Sequence, residues 1–384
     1  MARLKSLFGQ RAMRRLHGLL GFWLCLILGW ICLFGTLTSI GHELDWLADS
    51  SLRVSVPAGT AAGDYASWGR MEAALRTAHP DWTIQRIMTP QGSRFAAEAR
   101  VLTPDRQPRL LYIDPYRATL TGEGPRKTIH ATLRQLHRQF YLPSVGGINI
   151  GVYLATPFAL VILLMLITGL VIYPQVWRGM FRLRLRAGVG PLLHDLHRLI
   201  AGWSLWFLLA IALTGMWYFA ERLLLDTGNR LEPLAPKASA SAAPMLPLDD
   251  LVAQAQAAFP ELKIAAVYYP RRKDDALRFD GQAGDMLVRD RANKVYLDPK
   301  TGAVLAVERI AGQGFWRRWD ETANPLHFGD FAGLWSRLIW FVFGAGLTAL
   351  VFSGAWMYWR RLRQQRDLQR RRQVVKRTSA RAAA

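Results

Sequence analysis

Four stretches of the chain carry no charged side chain: Gly18 to Gly41, Gly146 to Gln175, Leu199 to Ala220 and Leu338 to Trp359. A hydrocarbon core about 30 Å thick needs roughly 20 helical residues at ~1.5 Å each, so the pattern predicts four membrane-spanning helices. After the first and third runs, polar alternation returns. Met71 to His79 has helical spacing and stops at Pro80, and Thr83 to Met88 and Arg94 to Val101 alternate like strands. Arg109 to Asp114 is a strand that meets a turn at Pro115. The same plan recurs as Leu251 to Phe259 before Pro260, then Lys294 to Asp298 before Pro299, with Pro260 as the counterpart of Pro80. Glu232 to Pro247, rich in Pro, Ala and Ser, reads as a linker.

A second signal has the same period. Leu-His occurs at Leu16-His17, Leu136-His137, Leu196-His197 and Leu326-His327, each beside an apolar run. His17 and His197 are separated by the same length of chain as Pro80 and Pro260, with Trp23 and Trp203 six places after them. The separation of His137 and His327 is only slightly longer. A repeat this long predicts an internal duplication, each copy being a membrane helix, an extramembrane α+β domain and a second membrane helix. Neutral imidazole is a common ligand of iron and other metals, so four repeated histidines at membrane ends point to bound redox centres.

Charge decides the orientation. The net charge is +21 over 384 residues. The N-terminal segment holds Arg3, Lys5, Arg11, Arg14 and Arg15, and the loop between runs two and three holds Arg178, Arg182, Arg184, Arg186 and Arg198 against Asp195. The C-terminal tail is basic from Arg360 to Arg381, with Asp367 its one acidic residue. These three segments fall on one side of four spans, and the positive-inside rule makes that side cytoplasmic. A topology anchor beside anionic lipid accounts for the basic tail, and nucleic acid is not an expected partner. The first apolar run is longer than a secretory core of ~7–15 residues and has no A-x-A site, which predicts an uncleaved anchor. Cys25 and Cys32 share that run and read as buried packing, and no C-x-x-C-H is present for covalent haem attachment. The expected organisation is residues 1–42 as N-terminus and first span, 43–130 as the first external domain and 131–177 as the second span. It continues with 178–198 as a cytoplasmic basic loop, 199–221 as the third span, 222–325 as linker and second external domain, 326–359 as the fourth span and 360–384 as a cytoplasmic tail.

The helix-Pro, strand, strand-Asp-Pro pattern resembles PepSY domains. Two such units between four spans that carry Leu-His resemble the PepSY-associated transmembrane proteins over nearly the whole chain, most of all the siderophore-iron reductases of the bacterial inner membrane, ferrioxamine reductases among them. The resemblance implies a membrane α-helical fold, a four-helix bundle with two periplasmic α+β PepSY-like domains. It also implies b-type haem held by helix-end histidines, and reduction of ferric siderophore in the periplasm.

The topology then sorts the histidines by height. His17 and His197 pair on the inner side, and His137 and His327 on the outer side, each pair from different helices, as two axial ligands of one iron require. Two haems b are therefore expected. His194, three residues before His197, and His130, seven before His137, share their neighbours' helix faces and are rival ligands or supporting contacts. Arg14, Arg15 and Arg198 lie near the inner pair, and Arg134, Arg138 and Arg337 near the outer pair, as partners for propionates. His79 reads as a surface helix end. Trp316 and Trp319, between Phe315 and Phe331, are candidates for a docking surface or an interfacial belt. No P-loop, nucleotide-binding glycine motif or serine or cysteine nucleophile is apparent in the sequence, so the electron donor, a quinol or a reduced flavin, is expected to be a separate molecule. The expected reaction takes electrons from the cytoplasmic side to a periplasmic ferric siderophore, or in a variant of it to a periplasmic cytochrome. The alternative is a non-redox PepSY membrane protein that binds or restrains a periplasmic partner.

Overall fold

A computed structural model describes residues 9–186, 188–229, 232–239, 243–285 and 287–382. Arg3 and Lys5 of the N-terminal basic segment and Ser241 of the linker lie outside the described residues. The chain divides into a helical unit, Met1–Leu37, Arg134–Ala220 and Ile339–Ala384, and a sheet unit, Thr38–Leu133 and Glu221–Leu338.

Among the described residues of the chain, three helices are long and apolar enough to cross a membrane: Ile150–Ile172, Leu205–Asp226 and Gly333–Gln373. A bent pair, α1 (Gln10–Trp23) and α2 (Cys25–Ser39), makes a fourth if taken as one span. The uncharged run that starts at Gly18 is thus not one straight helix: the two segments meet at Leu24 with a bend of 69°. The first segment, α1, is amphipathic, with Arg11, Arg14 and Arg15 on one face and Leu16 and Leu20 on the other, as suits a helix lying along a membrane surface. The third run breaks at the equivalent place. Here α9 (Val189–Trp203) precedes α10 (Leu205–Asp226), and Ser204 between them holds the place in the second copy that Leu24 holds in the first. The basic loop expected over 178–198 therefore contains the first two turns or more of a helix.

The other two Leu-His dipeptides also sit on helices of their own. After α3 (Gly41–Ala48) and α4 (Trp68–Ala78) in chain order comes α5 (Ile129–Gln139), which carries His137 and is followed by α6 (Ile150–Ala155) and α7 (Phe158–Ile172), the second apolar span. With α8 (Val176–Gly179) before α9, and α11 (Leu248–Ala258) after α10, His327 falls on α12 (Phe315–Phe328) and not on α13 (Gly333–Ala382). All four histidines thus lie on amphipathic helices that adjoin the apolar ones, rather than at the tips of the spans themselves.

In the sheet unit, β1 (Thr83–Met88), β2 (Ala97–Leu102), β3 (Pro108–Asp114) and β4 (Thr119–Glu123) form one antiparallel meander. The second copy is β5 (Lys263–Tyr268), β6 (Leu277–Gln282), β7 (Asn293–Leu297) and β8 (Val304–Glu308). The copies do not form separate sheets. They join through β1 and β5 into eight strands in the order β4-β3-β2-β1-β5-β6-β7-β8. The junction is a pseudo-twofold: Ile87 faces Val267, its own equivalent in the second copy, Thr89 N donates to Ala265 O at 2.9 Å and Tyr269 N to Gln85 O at 3.0 Å. Alternate strand residues Ile87, Ala99, Val101, Phe279 and Val295 are buried under α4 and α11, with Leu75, Leu251 and Ala255 from those helices. Asp249 of α11 accepts from Gly69 N (2.7 Å) and Ser67 Oγ (2.8 Å), closing the free N-terminus of α4. His79 ends α4 and stacks on Trp82 at 3.8 Å.

Both Asp-Pro turns are the same device. Asp114 Oδ1 accepts from Tyr116 N and Arg117 N, and Asp298 Oδ1 from Lys300 N and Thr301 N. Pro115 O accepts from Ala66 N and Pro299 O from Leu246 N, the two donors again being equivalents in the two copies. The turns close on Ala118 at φ 54° and Gly302 at φ 74°. Only the second uses the residue that tolerates this region, so the first copy carries left-handed strain on the order of 1 kcal/mol. Ala118→Gly is expected to raise the thermal midpoint of the purified protein by a few degrees or less, and Gly302→Ala to lower it by more, because its Cβ would also collide with the Gln254 side chain. A scan of both variants by intrinsic fluorescence checks the order.

Candidate functional site

The helical unit encloses a cavity of about 790 Å³ lined mainly by apolar side chains, among them Leu28, Ile162, Leu208, Leu350 and Val351. His17, His194 and His197 line it, with Arg14, Arg198, Arg360 and Arg361. Every residue named comes from the amphipathic helices α1 and α9 or from the apolar helices α2, α7, α10 and α13.

His17 and His197 are held in the same way. His17 Nδ1 lies 2.9 Å from Thr168 Oγ1 of α7, and His197 Nδ1 lies 2.9 Å from Ser353 Oγ of α13. In each case the next residue is glycine. A Cβ at Gly169 would stand 3.6 Å from His17 Cε1, and one at Gly354 would stand 3.3 Å from His197 Cε1. A hydroxyl for one ring nitrogen and a bare backbone beside the ring edge are thus supplied twice, by Thr168-Gly169 and by Ser353-Gly354. Of the two histidines on α9, His197 is the one whose Nδ1 meets a hydroxyl from another helix.

The arginines differ in what engages them. Arg14 is exposed on α1 and lines the cavity, while Arg15 is exposed and is not among the lining residues. Arg198 pairs with the carboxylate of Asp195 and lies 5.2 Å over the Tyr173 ring. Asp195 is fully buried and also accepts two bonds from the Arg184 side chain, at 2.8 and 2.9 Å. A buried carboxylate needs such partners, and this one ties the chain before α9 to the helix two residues from His197.

The Leu136-His137 dipeptide is clamped to α2. His137 Nδ1 donates to Ile31 O at 2.8 Å, and Trp30 Nε1 donates to Leu136 O at 3.0 Å. Gly35 makes this approach possible, since a Cβ there would lie 2.8 Å from His137 Cε1. His130, on the same helix, stacks instead on His42, with ring centroids 3.9 Å apart. Its helix start is capped by Asp45, which accepts from Ile129 N at 2.6 Å. His327 is half-buried near the C-terminus of α12, which Gly329 ends at φ 73°. Arg138 is exposed, and Arg337 is buried in an ion pair with Glu43 at 3.0 Å. Phe315 and Trp316 are exposed at the start of α12 with their rings 5.1 Å apart.

The structure therefore gathers His17, His194, His197, Arg14 and Arg198 around one cavity. Gly169, Gly354, Arg360 and Arg361 line it as well, and Thr168 and Ser353, which sequence reasoning did not single out, meet His17 and His197. The available signal was the hydroxyl-glycine dipeptide, present beside a histidine-bearing run's partner once in the second apolar run and once in the fourth.

The family description "PepSY-associated TM region" matches residues 14–361. The chain belongs to the PepSY-associated transmembrane family. The match runs from α1 into α13 and includes all four Leu-His dipeptides and both copies of the sheet. No curated protein matches the chain. Membership accounts for a membrane protein with several apolar helices, and the pairing of histidine with hydroxyl and glycine is what its helical unit adds.

Gly35→Val is expected to push the His137 ring off α2 and to cost about 1–3 kcal/mol of stability, as overpacking does. Gly35→Ala should cost less. Apparent thermal midpoints in detergent test the order, and equal midpoints for wild type and Gly35→Val would contradict the contact.

Proposed function

We propose that this PepSY-associated transmembrane protein is a haem-dependent oxidoreductase of the bacterial inner membrane. It takes electrons from a cytoplasmic-side donor, a quinol or a reduced flavin, and reduces ferric siderophore in the periplasm, releasing ferrous iron. The observation that carries the reading is the apolar cavity onto which His17 and His197 open, each with its Nδ1 already engaged by a hydroxyl.

The residues present fit haem b. A volume of about 790 Å³ falls in the range of pockets for large organic cofactors, roughly 300–1,000 Å³. Two imidazoles on separate helices suit an iron that has four equatorial nitrogens of its own, and arginines at the cavity suit two carboxylates. When bound, haem b supplies a one-electron ferric–ferrous couple. His17 and His197 would hold the inner group, and His137 and His327 are proposed for the outer one. Arg14 and Arg198 would serve the inner propionates, whereas Arg15, expected to join them, does not line the cavity, and Arg138 and Arg337 would serve the outer ones. The last assignment asks Arg337 to serve a propionate while paired with Glu43. Ferrous iron binds hard oxygen chelators more weakly than ferric iron, so one electron loosens the metal without destroying the chelator. The choice of siderophore as substrate rests on the resemblance to siderophore-iron reductases.

The purified protein is expected to be red, with a low-spin b-type spectrum on reduction and two haems per chain by pyridine haemochrome. His17→Ala or His197→Ala should remove or alter one haem, and His137→Ala or His327→Ala the other. A colourless protein, expressed with adequate haem supply, would favour the alternative of a non-redox protein that binds a periplasmic partner. Orientation has a separate test: a reporter fused after Ala384 should be cytoplasmic and one inserted near Ser241 periplasmic, as the basic segments require.

A further inference from the structure

His17 and His197 can each exist with the proton on Nδ1 or on Nε2, and only the first leaves Nε2 able to bind iron. The hydroxyls beside them decide which. Thr168 Oγ1 has a single proton, and it is directed to its own helix: Leu164 O accepts at 2.7 Å, with Met165 O at 3.2 Å. Its remaining capacity is as an acceptor, so the 2.9 Å contact to His17 Nδ1 is a bond donated by the imidazole. Ser353 repeats this, donating to Leu350 O at 3.2 Å and accepting from His197 Nδ1 at 2.9 Å. The opposite tautomer would turn an N–H toward a cavity lined mainly by apolar groups, where an unmet donor is costly. At the outer side the same outcome is reached without a side chain. His137 Nδ1 meets the carbonyl of Ile31, which can only accept.

We propose that Thr168 and Ser353 are positioning residues that lock His17 and His197 in the Nδ1–H tautomer and present both Nε2 lone pairs to the cavity. The proposal rests on the haem reading above and deepens it. A hydrogen bond donated from Nδ1 makes the imidazole a stronger base and so favours the ferric state of the iron it holds. Thr168 and Ser353 would therefore act on one and the same haem, through the two histidines, His17 and His197, that would hold it.

The test uses the full-length detergent-purified protein and reads haem content and midpoint potentials by spectroelectrochemical titration, without any turnover assay. Wild type should show two b-type haems. Thr168→Val keeps the side-chain shape and removes the acceptor. It should raise the midpoint of one haem only and weaken retention of that haem by about 10–100-fold. Ser353→Ala should move the same haem in the same direction, and the second haem, unchanged, serves as the internal control for folding. Thr168→Ser and Ser353→Thr keep the hydroxyl and should restore wild-type values. Wild-type midpoint and retention in Thr168→Val and Ser353→Ala overturn the proposal while leaving the haem reading intact. So does an equal shift in Thr168→Ser and Thr168→Val, which would assign the effect to packing. A wild-type protein without haem overturns both.

Discussion

An imidazole placed among apolar helices has two nitrogens and few partners, and that shortage organises the helical unit. One nitrogen of His17, His197 and His137 is satisfied by a neighbouring helix, through Thr168, Ser353 and the Ile31 carbonyl respectively. Leaving a buried polar atom unmet costs on the order of 1–3 kcal/mol, so each of these bonds also fixes where its amphipathic helix lies on its apolar neighbour. Glycine beside the ring sets how close the two can come. At Gly35 the clearance is smaller than any side chain allows, whereas a Cβ at Gly354 would be tight and one at Gly169 would make ordinary contact. Helix position, ring orientation and the nitrogen that is bonded are one arrangement, not three.

The duplication then multiplies the arrangement. The helix breaks at Leu24 and Ser204, the hydroxyl-glycine pairs that meet a histidine and the Asp-Pro turns each occur once per copy. In the sheet unit the copies meet on equivalent strands, β1 against β5, and bury an otherwise open edge of each meander. An antiparallel edge pairing with its own duplicate is self-complementary, which makes the pseudo-twofold a direct way to finish two small sheets. The copies have also diverged where geometry permits, as at Ala118 and Gly302, which occupy the same left-handed turn position.

Ionic groups tighten the start of the helices that carry the histidines. Asp195, fully buried, binds Arg184 and Arg198 and so flanks the Leu196-His197 dipeptide, and Asp45 caps α5 before His137. On α12, Arg317 pairs with Asp320 and Glu321 of its own helix and with Glu232 of the segment before the sheet's second copy. The contacts on α5 and α12 lie one to three turns before their dipeptide, and the one on α9 adjoins it. Their common effect is to hold a short helix that has little apolar surface of its own to bury.

What the sequence by itself determined is local or periodic. Uncharged runs read as spans, alternation and Pro80, Pro260, Asp114 and Asp298 read as the elements of the sheet unit, and the repeated Leu-His with its nearly constant offset read as a duplication, because each signal lies within a few residues or recurs along the chain. Basic residues grouped in three segments read as a topology anchor for the same reason. Only tertiary structure decided the rest. The bend at Leu24 falls inside an uncharged run, where hydropathy sees no boundary. The pairing of β1 with β5 joins segments far apart in the chain through backbone bonds that no side chain advertises. Thr168 and Ser353 look like ordinary small polar residues of membrane helices until a histidine from another helix is found 2.9 Å away. Arg337, read from sequence as a propionate partner, is already paired with Glu43. Hydrogen-bond partners between distant segments are chosen by the packing of helices and strands, and that choice is absent from any one stretch of the chain.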